Sequence, residues 1–243
     1  MPTPRKQIAH FFRFLKLLSG ILLLPLSVAA TWAMLDVLGN AHGKMTDAVC
    51  LLAGFFVWLL CWFFLPQPVR VYILGHELTH ALWAMLFGGR AKNLRVTANG
   101  GSVRVTKSNV LITLAPYFFP FYTIVLILIR LLLGLFIKPM PYPAVWLFLV
   151  GFTWSFHFTF TLQSLMVRQP DIQEHGRLFS YTLIYLLNIL GIGLWVACTT
   201  SATGTDLVHT LVSHTADSYR AVYHALKGGA DIISNCVSRY VLP

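Results

Sequence analysis

The sequence is short of charged residues, which make up 11% of its 243 residues, and it contains only two glutamates, Glu77 and Glu174. A soluble domain of this length would carry about a quarter charged residues. At the same time 57% of the chain is hydrophobic. This balance excludes a large soluble core and predicts an integral, multi-pass membrane protein in contact with the lipid bilayer.

Cysteine is also scarce, with four residues and no CxxC pair among them. A disulfide framework and a cysteine metal cluster are therefore not expected. The net charge is +10, but the basic residues fall mainly in short segments between apolar runs, as anionic lipid surfaces favour. No nucleic-acid-binding motif accompanies them, so we expect no nucleic-acid partner.

Long hydrophobic segments are present instead. A helix needs about 20 apolar residues to cross a bilayer. The first segment follows a basic leader and is longer than the core of a cleaved signal peptide, which favours a retained span. Six segments qualify: 15–38, 48–65, 69–87, 110–137, 142–167 and 178–199. We therefore predict an all-α polytopic membrane protein with about six transmembrane helices within residues 1–200.

Two segments differ from these apolar runs. Residues 90–107 alternate β-branched and polar residues around Asn99-Gly100-Gly101, and five of them are basic. This pattern predicts a short β-hairpin. Residues 201–243 form a polar tail whose apolar residues recur at helical spacing, which predicts an amphipathic C-terminal helix on the membrane surface or against the bundle.

His76, Glu77 and His80 form an HExxH motif inside the third apolar segment, where a charged side chain costs at least about 2.5 kcal/mol. On a helix, residues i and i+4 lie about 40° apart and one turn along the axis. Both imidazoles can then reach one Zn2+ ion, and the glutamate can take the proton of a water molecule on the metal. The simpler alternative is that these side chains hydrogen-bond between helices.

The chain resembles the site-2 proteases, which are intramembrane zinc metalloproteases, in three segments. GHELTHAL at 75–82 is similar to the family's motif, GGSVRV at 100–105 resembles the strand that often follows it, and PDIQEHGRLFS at 170–180 resembles a stretched form of its PxLDGGR segment. The resemblance implies that Asp171 is the third zinc ligand. The family's Asp-Gly dipeptide is absent, since four residues separate Asp171 from Gly176.

From the residues alone, four side chains remain open as the third ligand. Asp171 is one, but Asp-x-x-Glu before an apolar run also resembles a capping box. His157 lies within an apolar segment and is the next candidate, as a ligand, a neighbour of the ligands or a hydrogen-bonded bundle residue. Glu174 and His175 are expected in an exposed loop. The other aspartates are typical of helix ends or solvated positions: Asp36, Asp47, Asp206, Asp217 and Asp231.

The expected function is that of an intramembrane zinc metalloprotease, with Glu77 as the catalytic base and His76, His80 and Asp171 as metal ligands. Its expected partner is a membrane-spanning or membrane-associated protein or peptide substrate. Two alternatives remain: a prenyl-protein-type membrane protease, which needs a glutamate as its third ligand, and a non-proteolytic metal-binding or carrier protein.

Overall fold

The chain is mostly helical in the computed structural model, which describes residues 4–40, 45–97, 100–139, 141–199 and 204–240. Its elements follow in this order: α1 (Pro4–Asn40), α2 (Met45–Phe64), α3 (Val69–Leu86), β1 (Ala91–Thr97), β2 (Gly100–Val105), α4 (Val110–Phe118), α5 (Phe121–Phe136), α6 (Pro143–Met166), α7 (Pro170–His175), α8 (Arg177–Thr199) and α9 (Gly204–Tyr240). Two compact units result, one formed by α1, α8 and α9 and the other by α2 to α7 with the two strands.

Four helices of the described chain are long and apolar enough to cross a membrane: His10–Asn40, Met45–Phe64, Pro143–Met166 and Arg177–Val196. Helices α4 and α5 would supply a fifth crossing if the bent pair counts as one span. Helix α3 falls short because Arg70 and the polar residues of the HExxH motif interrupt its apolar run. The helical membrane protein is therefore confirmed, whereas the expected six spans are not, since the described residues provide four or five.

The fourth apolar segment is broken by proline. Helices α4 and α5 meet at an angle of 79°, and Phe119 between them is extended, with φ −105° and ψ 103°. A residue that precedes proline is driven out of the helical region by the proline ring. Pro120 therefore ends α4 and begins α5, while Pro116 lies inside α4 and does not break it.

Helices α2 and α6 pack together through glycine. A Cβ atom at Gly54 would overlap the carbonyl oxygen of Phe148, and one at Gly151 would overlap the carbonyl oxygen of Leu51. Because neither residue has a side chain, the two backbones approach each other directly. Small residues are the usual means of bringing helices together in lipid, where apolar side chains gain little by leaving the solvent.

Helix α6 also supports α3 through aromatic residues. Trp58 of α2 packs against Phe160 of α6 and donates a hydrogen bond from Nε1 to Thr159 Oγ1 at 2.9 Å. The ring of Phe160 stacks on Tyr72 of α3, with centroids 4.6 Å apart and an interplanar angle of 5°. The Tyr72 hydroxyl lies 2.7 Å from Ser164 Oγ on α6. These contacts fix the helix that carries the HExxH motif.

Strands β1 and β2 form the predicted antiparallel hairpin. Its turn residue Asn99 lies outside the described residues. The register shifts between Lys92 and Arg95, where Asn93 adopts a left-handed φ of 56°. This shift is a β-bulge, a feature that increases local twist.

In the other unit, α9 runs along α1. Leu207 packs against Val37 of α1 and Val196 of α8, and the Tyr219 hydroxyl donates to the carbonyl of Leu22 at 2.6 Å. The pairings of Leu207 with Val37 and of Tyr219 with Leu22 show that the two helices are antiparallel.

The predicted C-terminal helix is present as α9, and its apolar positions divide into two groups. Leu207 is buried against the neighbouring helices, whereas Val208, Val212, Tyr223 and Leu226 are exposed. Packing on α1 therefore covers only part of the apolar stripe.

Candidate metal centre

Helix α3 places the two histidines of the motif on one face. The rings of His76 and His80 lie 4.9 Å apart, at an interplanar angle of 78°. Each is partly exposed, at 13% and 14% of the side chain, whereas Glu77 between them is buried at 8%. The motif is therefore on a helix as the sequence predicts, and its two imidazoles face the same side.

Asp171 reaches these histidines from the short helix α7. Its Oδ2 lies 3.6 Å from His76 Nε2 and 3.5 Å from His80 Nε2. All three candidate ligand atoms fall within 4.8 Å of one another, and in the described chain this is the one cluster of three such groups. The residue that caps α7 is Gln169, so the alternative of Asp171 as an N-cap is not observed.

The distances suit a bound zinc ion. Two donors that each lie about 2.0–2.1 Å from a tetrahedral zinc are about 3.3 Å apart. The observed nitrogen–oxygen separations of 3.5 and 3.6 Å are close to that value, and they are long for direct hydrogen bonds, which are usually about 2.7–3.2 Å. Two imidazoles and a carboxylate, with a fourth position left for water, form the donor set of catalytic zinc sites.

Helix α4 orients two of these three side chains. His80 Nδ1 lies 2.9 Å from the carbonyl oxygen of Ile112. A carbonyl can only accept, so Nδ1 carries a proton, and Nε2 is the nitrogen that faces Asp171. The Tyr117 hydroxyl donates to Asp171 Oδ2 at 3.0 Å, and the ring of Tyr117 meets the edge of His76 with centroids 5.3 Å apart.

The charge of the site favours an ionised carboxylate. Burial by itself would raise the pKa of Asp171, but the close approach of the His76 and His80 rings outweighs it and holds that pKa well below its usual range. An ionised Asp171 facing two imidazole nitrogens is the form that binds a divalent cation.

The site opens into a cleft of about 320 Å³, at the lower end of the range typical of ligand pockets. Its floor is formed by the motif and Asp171, one wall by β2, and the other by the start of α4 and by α7. Gly101 of β2 lies directly over Glu77, where an added Cβ would be 2.8 Å from Glu77 Cγ and 2.9 Å from Oε1. Glycine therefore allows the strand to pass close to the candidate base.

The remaining candidates from the sequence lie outside the ligand cluster. Glu174 is on the rim of the cleft, with 58% of its side chain exposed, and His175 is buried with its Nε2 3.9 Å from that carboxylate. His157 is 8% exposed and shares a small cavity with His76. Within the described chain no hydrogen-bond partner is found for its Nε2. The expectation that His175 is exposed is wrong, because α7 turns it inward.

Three contributors to the site were not identified from the sequence: the Tyr117 hydroxyl, the Ile112 carbonyl and the close approach of Gly101 to Glu77. Two signals pointed to them. Tyr117 carries an isolated hydroxyl group in the apolar run LAPYFFP. Pro116 lies four residues after Ile112, which is the spacing of a helical hydrogen bond.

No family model, curated protein or solved structure matches this chain. The case for a function therefore depends on the geometry of this site.

Proposed function

We propose that this chain is a zinc endopeptidase of the membrane, similar in its site to the site-2 proteases. The observation that carries the proposal is the convergence of His76, His80 and Asp171, from two separate elements, beside the buried Glu77. A hydrogen-bonded polar cluster without metal is the simpler alternative, but the nitrogen–oxygen separations are longer than hydrogen bonds prefer.

The side chains would divide the work as follows. A zinc ion, when bound, supplies a Lewis acid that polarises a peptide carbonyl and acidifies a water molecule. His76, His80 and Asp171 hold the ion. Glu77 takes a proton from the attacking water and delivers it to the departing amine. Its burial beneath β2 keeps the carboxylate at the floor of the cleft, where the scissile bond would lie.

The substrate would be a membrane-spanning or membrane-associated polypeptide. A spanning helix satisfies its own backbone, so it must unwind locally before a carbonyl reaches the site. The edge of β2 faces the cleft through Gly101, Val103 and Val105, and an unwound segment could pair with it as an added strand. Replacing a residue of this edge by proline should lower cleavage and leave the bound zinc unchanged. Equal cleavage by the wild type and the proline variant would refute this binding mode.

The decisive experiment is elemental analysis of the purified protein together with a cleavage assay. We expect about one zinc per chain in the wild type and its loss in His76→Ala and Asp171→Ala. Glu77→Gln should retain zinc and lose turnover, by roughly 100-fold or more. Wild-type protein without a divalent metal, or full turnover by Glu77→Gln, would exclude the mechanism.

The same variants separate the alternatives. A metal carrier would tolerate Glu77→Gln with transport intact. A prenyl-protein-type protease would need Glu174 as a ligand, but Glu174 is on the rim and is not part of the three-residue cluster. Glu174→Gln should therefore keep its zinc, whereas loss of zinc in this variant would favour that second enzyme.

A further inference from the structure

Pro116 lies in the last turn of α4, the helix that supports the site, and is buried. In a regular α-helix each backbone N–H donates to the carbonyl four residues earlier. Proline has no N–H, so it leaves that carbonyl without its helical donor. For Pro116 the carbonyl concerned is that of Ile112.

The carbonyl released by Pro116 is the one that His80 uses. Ile112 is 0% exposed, so solvent cannot hydrate its backbone, and His80 Nδ1 lies 2.9 Å from its oxygen. A buried carbonyl without a partner destabilises the fold. The imidazole N–H therefore takes the place of the missing helical N–H, and each group satisfies the other.

We propose that Pro116 is a positioning residue of the metal centre. By keeping the Ile112 carbonyl available, it holds a proton on Nδ1 of His80 and leaves Nε2, which faces Asp171, as the nitrogen that can bind a metal. The role in metal binding rests on the proposed function, whereas the hydrogen bond itself does not. Replacing Pro116 by alanine would give residue 116 an N–H that competes for the same oxygen.

The second proline of the segment offers a matched control. Pro120 also lacks an N–H, but the carbonyl four residues before it belongs to Pro116, and no contact of that oxygen with a candidate ligand is found in the described chain. Pro120→Ala thus removes a proline from the same bend without adding a donor near Ile112. Only Pro116→Ala introduces an N–H that can donate to the Ile112 carbonyl, which is the acceptor of His80.

The first measurement needs no metal. Nitrogen-15 NMR of histidine in the metal-free membrane protein reports which ring nitrogen carries the proton. We expect His80 to be protonated at Nδ1 in the wild type and in Pro120→Ala, and to become a mixture of tautomers in Pro116→Ala. A wild-type His80 without a proton on Nδ1 would overturn the proposal, and this result does not depend on whether any variant folds.

The second measurement is zinc affinity, by competition with a chelator. Loss of a partner that orients a ligand typically weakens binding about 10–100-fold, and we expect Pro116→Ala to lie near the lower end because a carbonyl can accept two bonds. Thermal stability should stay the same or rise, since alanine favours helix more than proline does. In a His80→Ala background Pro116→Ala should have no further effect on the residual affinity.

The outcomes separate the two proposals. Zinc-free wild-type protein with His80 protonated at Nδ1 would end the proposed function but leave the hydrogen-bond role standing. Zinc-loaded wild type with the same affinity in Pro116→Ala as in Pro120→Ala would end the positioning role alone. An equal loss of affinity with and without His80 would show that Pro116 acts through the general structure of α4.

Discussion

Helices α2 and α3 have similar lengths, 20 and 18 residues, but they contact their neighbours by different means. Helix α2 meets α6 through Gly54 and Gly151, with backbone against backbone. At the site, helix α3 meets α4 and β2 through polar side chains, among them the His80 bond to Ile112 and Glu77 beneath Gly101. The first interface depends on the absence of side chains, and the second on their exact chemistry.

This difference shows which changes each interface tolerates. At α2–α6 an added methyl group has no room, although the chemistry of the interface would be unchanged. At α3–α4 a substitution can keep the volume of the side chain and still change what the site can bind, because it removes one hydrogen-bonding atom. Variants that alter volume alone or polarity alone should therefore affect stability and metal binding separately.

The largest effect is expected from Asp171→Asn, which keeps the size of the side chain but removes its charge. Zinc affinity should fall by more than the roughly 100-fold that loss of an outer partner costs, as measured by chelator competition. Glu174→Gln is the control, because it removes a nearby acid that lies outside the cluster. Similar affinities in the two variants would show that Asp171 is not a ligand.

The next effect is expected from Tyr117→Phe, which removes one oxygen atom and leaves the buried ring. Asp171 would lose the hydrogen bond of 3.0 Å, and zinc affinity should fall about 10–100-fold in the same chelator competition. Tyr122→Phe is the control, since the Tyr122 hydroxyl donates to the carbonyl of Val71 and not to a candidate ligand. An equal loss in both would indicate a general effect of buried hydroxyls on the fold.

A smaller effect is expected from Gly101→Ala, which adds a methyl group between β2 and Glu77. The strand must move outward because the new Cβ would overlap Ile73 Cγ2 and would lie 2.8 Å from Glu77 Cγ. Cleavage should fall on the order of 10-fold with the zinc content unchanged. Ser102→Ala adds no atoms at this contact and should cleave normally. Unchanged cleavage by Gly101→Ala would show that β2 has no part in positioning the substrate.

The smallest effect on the metal site is expected from Gly54→Ala, which tests the glycine interface. Overlap with the Phe148 backbone should force the two helices apart and cost about 3 kcal/mol or more, of which the better helix propensity of alanine offsets about 1 kcal/mol. Thermal unfolding would measure the net loss. Gly191→Ala, where the added Cβ meets nothing within 4 Å, should be neutral or slightly stabilising. Zinc affinity should be the same in both, and a fall in Gly54→Ala would show that the two interfaces are coupled.

Local features of the fold could be predicted because they depend on neighbours along the chain. The hairpin followed from alternation around Asn99-Gly100-Gly101, and the helix of the HExxH motif followed from its apolar run. The number of spans could not be predicted in the same way. Helix α3 has the length of a span, but its own site residues lower its apolarity, and α4 and α5 are separate helices bent by 79°.

Only the part of the candidate site that lies on α3 could be predicted from the sequence. His76, Glu77 and His80 share a helix, so their spacing determines their geometry. Asp171 lies 91 positions after His80, and the residues alone could not choose between it and His157, Glu174 or His175. Local signals marked Tyr117 and Ile112, but their partners could not be predicted, since no local pattern shows which oxygen a distant side chain will meet.

The sequence by itself therefore determined a helical membrane protein with a pair of histidines one helical turn apart and a glutamate between them. Composition and a spacing of four residues are sufficient for this, because both act through the chain's own backbone. The tertiary structure decided which acid faces the histidines, which oxygen orients His80 and which strand covers Glu77. Those choices depend on how α4, α7 and β2 pack against α3, and packing is settled by contacts between residues far apart in the chain.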